Sequence, residues 1–170
     1  AVQFCLIIIG CNTSNNEKAR KTSRPAGSDI QKSITYKKIA SNYSGIDFSN
    51  DIQHDLTTKF NLFDYDFFYN GSGVGIVDIN NDNLPDLFFT GNQVPNKLYL
   101  NKGNFVFEDI TKRAHLEDEE GWTTGVTMVD INNDGWLDIY VTRELYDDQP
   151  ELRKNKLYLN QGITSEKNGI

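Results

Sequence analysis

The sequence predicts an all-β chain built from four-stranded units, each with an acidic loop between its first and second strands. Three observations lead there. A nine-residue acidic pattern occurs twice, at residues 78–86 and 130–138. Each copy is flanked by short β-branched and aromatic runs bounded by Gly and Asn, which read as strands. The likeness also extends past the loops: residues 73–86 align with 125–138 at an offset of 52, and residues 96–103 with 155–162 at an offset of 59. A four-stranded unit that recurs every ~40–50 residues is the mark of a propeller blade, and propellers close with about 4–8 of them. The expected architecture is therefore a partial β-propeller, the N-terminal piece of a larger one, with blades around 71–111 and 123–170.

Taken in order, residues 1–11 come first. Phe4 to Gly10 is an apolar run too short to span a bilayer as a helix. A short apolar stretch ending in small residues marks a secretory signal, and Ile8-Ile9-Gly10-Cys11 resembles a bacterial lipobox. The expectation is a truncated lipoprotein signal with Cys11 as the lipidated residue. Residues 12–33 are rich in Ser, Asn, Lys and Arg without apolar periodicity, the composition of a flexible tether. The repeat region is expected over 34–170. Tyr36 to Ile39 matches Phe107 to Ile110 in pattern, so both read as the same kind of segment. Residues 47–70 add an aromatic-rich stretch with Phe60, Phe63, Tyr65, Phe67, Phe68 and Tyr69, whose default role is packing.

In each unit the strand before the loop is expected at 73–77 or 125–129, and the strand after it at 87–90 or 139–142. A third strand holds Leu98 and Leu100 on one face and Tyr99 on the other. A Gly-containing turn then leads to a fourth strand over 105–110. The second unit has seven extra residues between its second and third strands, within 143–154. This charged, Tyr-containing insertion is a candidate contact loop.

The chemistry lies in the loops. Asp78, Asn80, Asp82 and Asp86 occupy loop positions 1, 3, 5 and 9, as do Asp130, Asn132, Asp134 and Asp138. Alternate side chains at that spacing point inward at one hard cation, and calcium takes about six to eight oxygens. The carbonyls of Leu84 and Trp136 would fill position 7. EF-hands are excluded, because position 12 is Phe89 or Val141 and the flanks are strands. The sharp turn at position 6 needs φ > 0, which Gly135 supplies and Asn83 tolerates. Asn-Asp-Gly is also a plain hairpin turn signal; it is the doubling, with every liganding type kept, that favours Ca2+.

Residues 129–142, followed by 155–162, resemble the FG-GAP/VCBS repeat. That repeat builds integrin-α-like β-propellers with calcium in the blade loops. Residues 44–48 and 68–71 further resemble the start of large secreted bacterial members, similar to cartilage acidic protein and often ending in an ASPIC/UnbV domain. The resemblance implies calcium ligation at the eight side chains above. Asn at position 3, Asn83 for the usual Gly, and Pro85 depart from the pattern.

The net charge of −7 opposes nucleic acid as a partner. Part of it is the run 117–120, expected to be a solvated loop. Both cysteines, Cys5 and Cys11, precede the repeats, so the repeat region holds no disulfide framework and no cysteine nucleophile. His54 and His115 sit in no catalytic motif. The expected function is a calcium-stabilised binding or adhesion module, lipid-anchored on the bacterial cell envelope at the outer membrane or cell surface. It would present loops to a protein or glycan and would not itself be an enzyme. The alternative is a non-catalytic portion of a secreted carbohydrate-active enzyme whose active site lies elsewhere.

Overall fold

The computed structural model describes residues 36–118 and 121–162. The expected signal at 1–11 with Cys11, the expected tether at 12–33 and residues 163–170 lie outside them. The first sheet has four strands in the order β1-β2-β3-β4: β1 Val74–Val77, β2 Asp86–Phe89, β3 Lys97–Asn101 and β4 Phe107–Asp109. The second has three among the described residues: β5 Trp122–Val129, β6 Asp138–Glu144 and β7 Lys156–Tyr158. All neighbouring strands are antiparallel. The two hairpins carry equivalent registers, with Val77 opposite Asp86 and Val129 opposite Asp138. Two single-turn helices complete the elements, α1 Ser41–Ser44 and α2 Pro150–Arg153.

The core forms where the sheets meet. Phe88 and Leu98 from the first sheet pack with Ile139 and Val141 from the second and with Leu116 from the connection. Period-2 alternation explains the choice: successive strand side chains take opposite faces, so one face of each strand is apolar and buried. The innermost strands approach closely at Gly75, where a Cβ would overlap Met128 Cε. Thr123 N–H donates to the Gly91 carbonyl at 3.1 Å and ties the sheets at their edge.

Four segments differ from the sequence expectation. Strand four is shorter than 105–110, because Asn104 and Phe105 take φ of 53° and 62° and close a turn in which Lys102 N–H meets the Val106 carbonyl at 2.8 Å. Strand β5 is longer than 125–129, beginning at Trp122 and passing a bulge between Thr123 and Gly125. Residues 36–40 form no strand and are exposed, with Tyr36 at 94%. The run at 117–120 is not simply a solvated loop: the Asp118 side chain is 6% exposed and takes contacts from Arg143, Lys156 and Tyr158. Arg143 carries an ion that burial disfavours, and pairing at Asp118 offsets that penalty.

Candidate metal loops

Both acidic loops adopt one conformation, defined by the same hydrogen bonds at equivalent positions. Asp78 Oδ1 accepts from Asp82 N–H at 3.0 Å and its Oδ2 from Asn83 N–H at 2.8 Å. Asp130 does the same with Asp134 and Gly135, at 3.0 and 2.9 Å. The position-5 carboxylates, Asp82 and Asp134, accept from Leu84 and Trp136 N–H at 2.8 and 2.9 Å. The amides of Asn80 and Asn132 donate to those same carboxylates at 2.9 and 2.7 Å. The turn needs left-handed backbone at position 6, and Asn83 and Gly135 supply φ of 68° and 87°. Position 4 also needs it, at Asn81 and Asn133, both at 58°; Asn tolerates that region because its short side chain bonds locally.

Position 9 is a different environment. Asp86 and Asp138 are fully buried. Asp86 Oδ2 accepts from Ile79 N–H at 2.9 Å and Oδ1 from Asn101 N–H at 2.7 Å. Asp138 repeats this with Ile131 at 3.0 Å and Asn160 at 2.7 Å. Burial pushes the Asp86 carboxyl above the usual carboxylate range; the Asn101 and Ile79 N–H groups pull it down, and the charges of Asp82 and Asp78 push it up again. The first loop therefore concentrates negative charge beside a desolvated carboxylate.

Among the described residues, no three Asp, Glu, His or Cys side chains converge as a preformed metal cluster. The carboxylates are satisfied by N–H donors instead. Their chemistry still fits a hard divalent cation: each loop offers three carboxylates, an amide oxygen and a carbonyl. Each carboxylate oxygen that accepts one N–H keeps a second acceptor direction. The loops of the two units also touch, Asn81 Nδ2 donating to the Gly135 carbonyl at 3.3 Å. The sequence did not single out Asn101 and Asn160 as supports of position 9. Their place at the end of the aligned Asn-Lys-Leu-Tyr-Leu-Asn stretch was the available signal.

The irregular segments meet at the opposite end of the sheets. Phe60, Tyr65 and Phe68 pack around Trp122 with ring centroids 6.2, 6.0 and 5.3 Å away. The insertion joins them through Tyr146, 5.4 Å from Phe60, while Tyr65 donates to Glu144. Phe63, Phe67 and Tyr69 remain exposed. His54 lies edge-on to Phe68 at 5.9 Å. The insertion itself carries α2, with Arg153 paired to Asp147.

Residues 78–141 match the FG-GAP-like repeat. Cartilage acidic protein 1 of Mus musculus is 35% identical over 69 residues, which cover 41% of this chain and 11% of that protein. The Xenopus tropicalis protein of that name gives the same figures, and the Homo sapiens one is 33% identical over 69 residues, 41% of this chain and 10% of its own length. The matched stretch spans about a tenth of these curated relatives.

Proposed function

The chain belongs to the FG-GAP repeat family, and from that premise we propose that it is the calcium-stapled part of a β-propeller that presents a binding surface from the cell envelope. One observation carries the reading: two loops 52 residues apart in sequence keep the same oxygen donors in the same conformation. Asp78, Asn80, Asp82, Asp86 and the Leu84 carbonyl would hold one Ca2+, and Asp130, Asn132, Asp134, Asp138 and the Trp136 carbonyl another. The ion would neutralise the clustered carboxylates and clamp the strand-to-strand turn.

Assembly into a propeller is supported by how the faces repeat. Val126 and Met128 pack toward the first sheet, and their equivalents Val74 and Ile76 are 56% and 69% exposed. Phe88 and Leu98 pack toward the second sheet, and the equivalent of Leu98, Leu157, is 41% exposed. Each sheet thus offers the complement used at the observed contact, which suits further sheets added by the same rotation. The exposed aromatics at 63–69 and the insertion at 143–154 supply a surface for a protein or glycan. The negative charge speaks against nucleic acid, and lipidation at Cys11 would tether the module to the membrane. Catalysis is not part of this reading, since the loop carboxylates are used as ligands.

The test is thermal unfolding with calcium and with EGTA. A ligand that binds only the native state stabilises by about 2.7 kcal/mol at a hundredfold excess over Kd. The melting temperature should rise with calcium, and the rise should shrink in Asp130→Ala/Asp134→Ala. A folded sample whose melting is indifferent to calcium would refute the proposal.

A further inference from the structure

The two loops are joined through one side chain by three hydrogen bonds linked across the covalent frames of Asn160 and Ile79. Asn160 N–H donates to Asp138 Oδ1 at 2.7 Å, inside the second unit. Its Nδ2 reaches across to the carbonyl of Ile79, at position 2 of the first loop, at 2.8 Å. The N–H of Ile79 in turn donates to Asp86 Oδ2 at 2.9 Å. The position-9 carboxylates of both loops are thereby connected by three short bonds. The equivalent Asn101 makes no such bridge: its N–H holds Asp86 at 2.7 Å and its Nδ2 stays in its own unit, on the Pro85 carbonyl at 2.8 Å. The repeat pattern would place the Asn160 amide on the Leu137 carbonyl, where it does reach at 3.3 Å, but the closer partner lies in the neighbouring unit.

We propose that Asn160 is a positioning residue that couples cation binding at the two loops, so that loading one raises the affinity of the other. This rests on the cation reading given above. The physical reason is shared ordering. A cation that fixes Asp138 fixes the Asn160 backbone. The Asn160 amide then holds the Ile79 carbonyl, across one Cα from the N–H that anchors Asp86. The loop filled second therefore has less freedom left to lose. Coupling is reciprocal, so either site reports it.

Trp136 provides a local readout, because it occupies position 7 of the second loop and its indole lies where a Cβ on Gly162 would come within 2.6 Å of Cε2. The experiment uses the full chain with terbium as the probe. Trp136-sensitised emission reports loading of the second loop, and calcium is the competitor. Disabling the first loop with Asp78→Ala/Asp82→Ala should weaken terbium binding at the second by at least about fivefold, the lower end of ordinary allosteric coupling. In an Asn160→Ala background the same disabling should shift the midpoint less than about twofold. Asn160→Ser serves where the alanine variant does not fold, because its hydroxyl keeps the local turn contact yet is too short to bridge. Asn101→Ala, which removes the non-bridging equivalent, should leave the coupling in place. A second-loop midpoint indifferent to the first loop would overturn the coupling while leaving the cation reading intact, as would coupling that survives in a folded Asn160 variant. Emission no greater than in Asp130→Ala/Asp134→Ala would instead sink the cation reading, and the coupling with it.

Discussion

Replacing Asp138 with alanine should destabilise the protein even when no calcium is present. The carboxylate is fully buried and satisfies two backbone donors, Ile131 N–H at 3.0 Å and Asn160 N–H at 2.7 Å. A hydrogen bond to a charged group contributes about 1.5–3 kcal/mol, so losing two costs about 3–6 kcal/mol. That is a large share of the ~5–15 kcal/mol that holds a domain together. At about 2–4 °C per kcal/mol for a chain of this size, the melting temperature should fall by on the order of 10 °C. Asp138→Asn keeps the shape and one acceptor but turns an amide donor toward a backbone donor, so its loss should be roughly half as large. Asp134→Ala is the contrast. Its carboxylate is exposed, and water replaces the Trp136 N–H contact, so in chelator the change should stay within about 1 kcal/mol. The assay is thermal unfolding by circular dichroism in excess EGTA for all three variants. Equal, small shifts for Asp138→Ala and Asp134→Ala would refute the claim that position 9 is a structural anchor in its own right.

Asp118→Ala should cost about 3–5 kcal/mol by denaturant unfolding, because it strips the partner from Arg143, whose side chain is 2% exposed. Gly91→Ala places a Cβ against the Val94 carbonyl and strains the Gly91 tie to Thr123, so a loss of about 1–3 kcal/mol is expected in the same assay. Asp109 gives a pH signature. Burial raises its carboxyl, but Lys97 and the Thr111 hydroxyl and N–H outweigh that and leave it below the usual range. A depressed folded value means the stabilisation is complete above the unfolded pKa, near ~4, and is lost as pH falls through the folded one. The stability gap between wild type and Asp109→Asn should therefore be constant at neutral pH and close on acidification; a gap that widened in acid would contradict the assignment.

Much of the architecture was legible because its signals are local. Alternation marked the strands beside each loop, and the need for φ > 0 at position 6 was met by Asn83 and Gly135. Features set by distant partners were not legible. Asp118 reads as one acid in an acidic run, and only the return of Arg143, 25 residues later, makes it a buried ion-pair centre. The left-handed turn at Asn104 and Phe105 delays the start of β4, and a Phe in that region is rare, so the sequence did not announce it. Asn160 looks like a repeated turn residue, and its bond to Ile79 spans 81 positions.

The arrangement of strands gives the loops and the irregular segments opposite ends of the same sheets. β6 leaves the acidic loop at Asp138 and arrives beside Tyr65 at Glu144, six residues on. At about 3.3 Å per residue that separates the two ends by roughly 20 Å. Across such a distance a surface charge in the loop is screened from the far end in ordinary salt. What does extend along the strand is pairing: Val129 faces Asp138 at one end of the β5–β6 pair and Trp122 faces Glu144 at the other, with the register shifting by one at the bulge between Thr123 and Gly125. A cation that pinned the hairpin turn would therefore bear on the aromatic end through the β5–β6 pairing, the bulge carrying the last step to Trp122. Trp122, around which Phe60, Tyr65 and Phe68 are gathered, is the residue that this register positions.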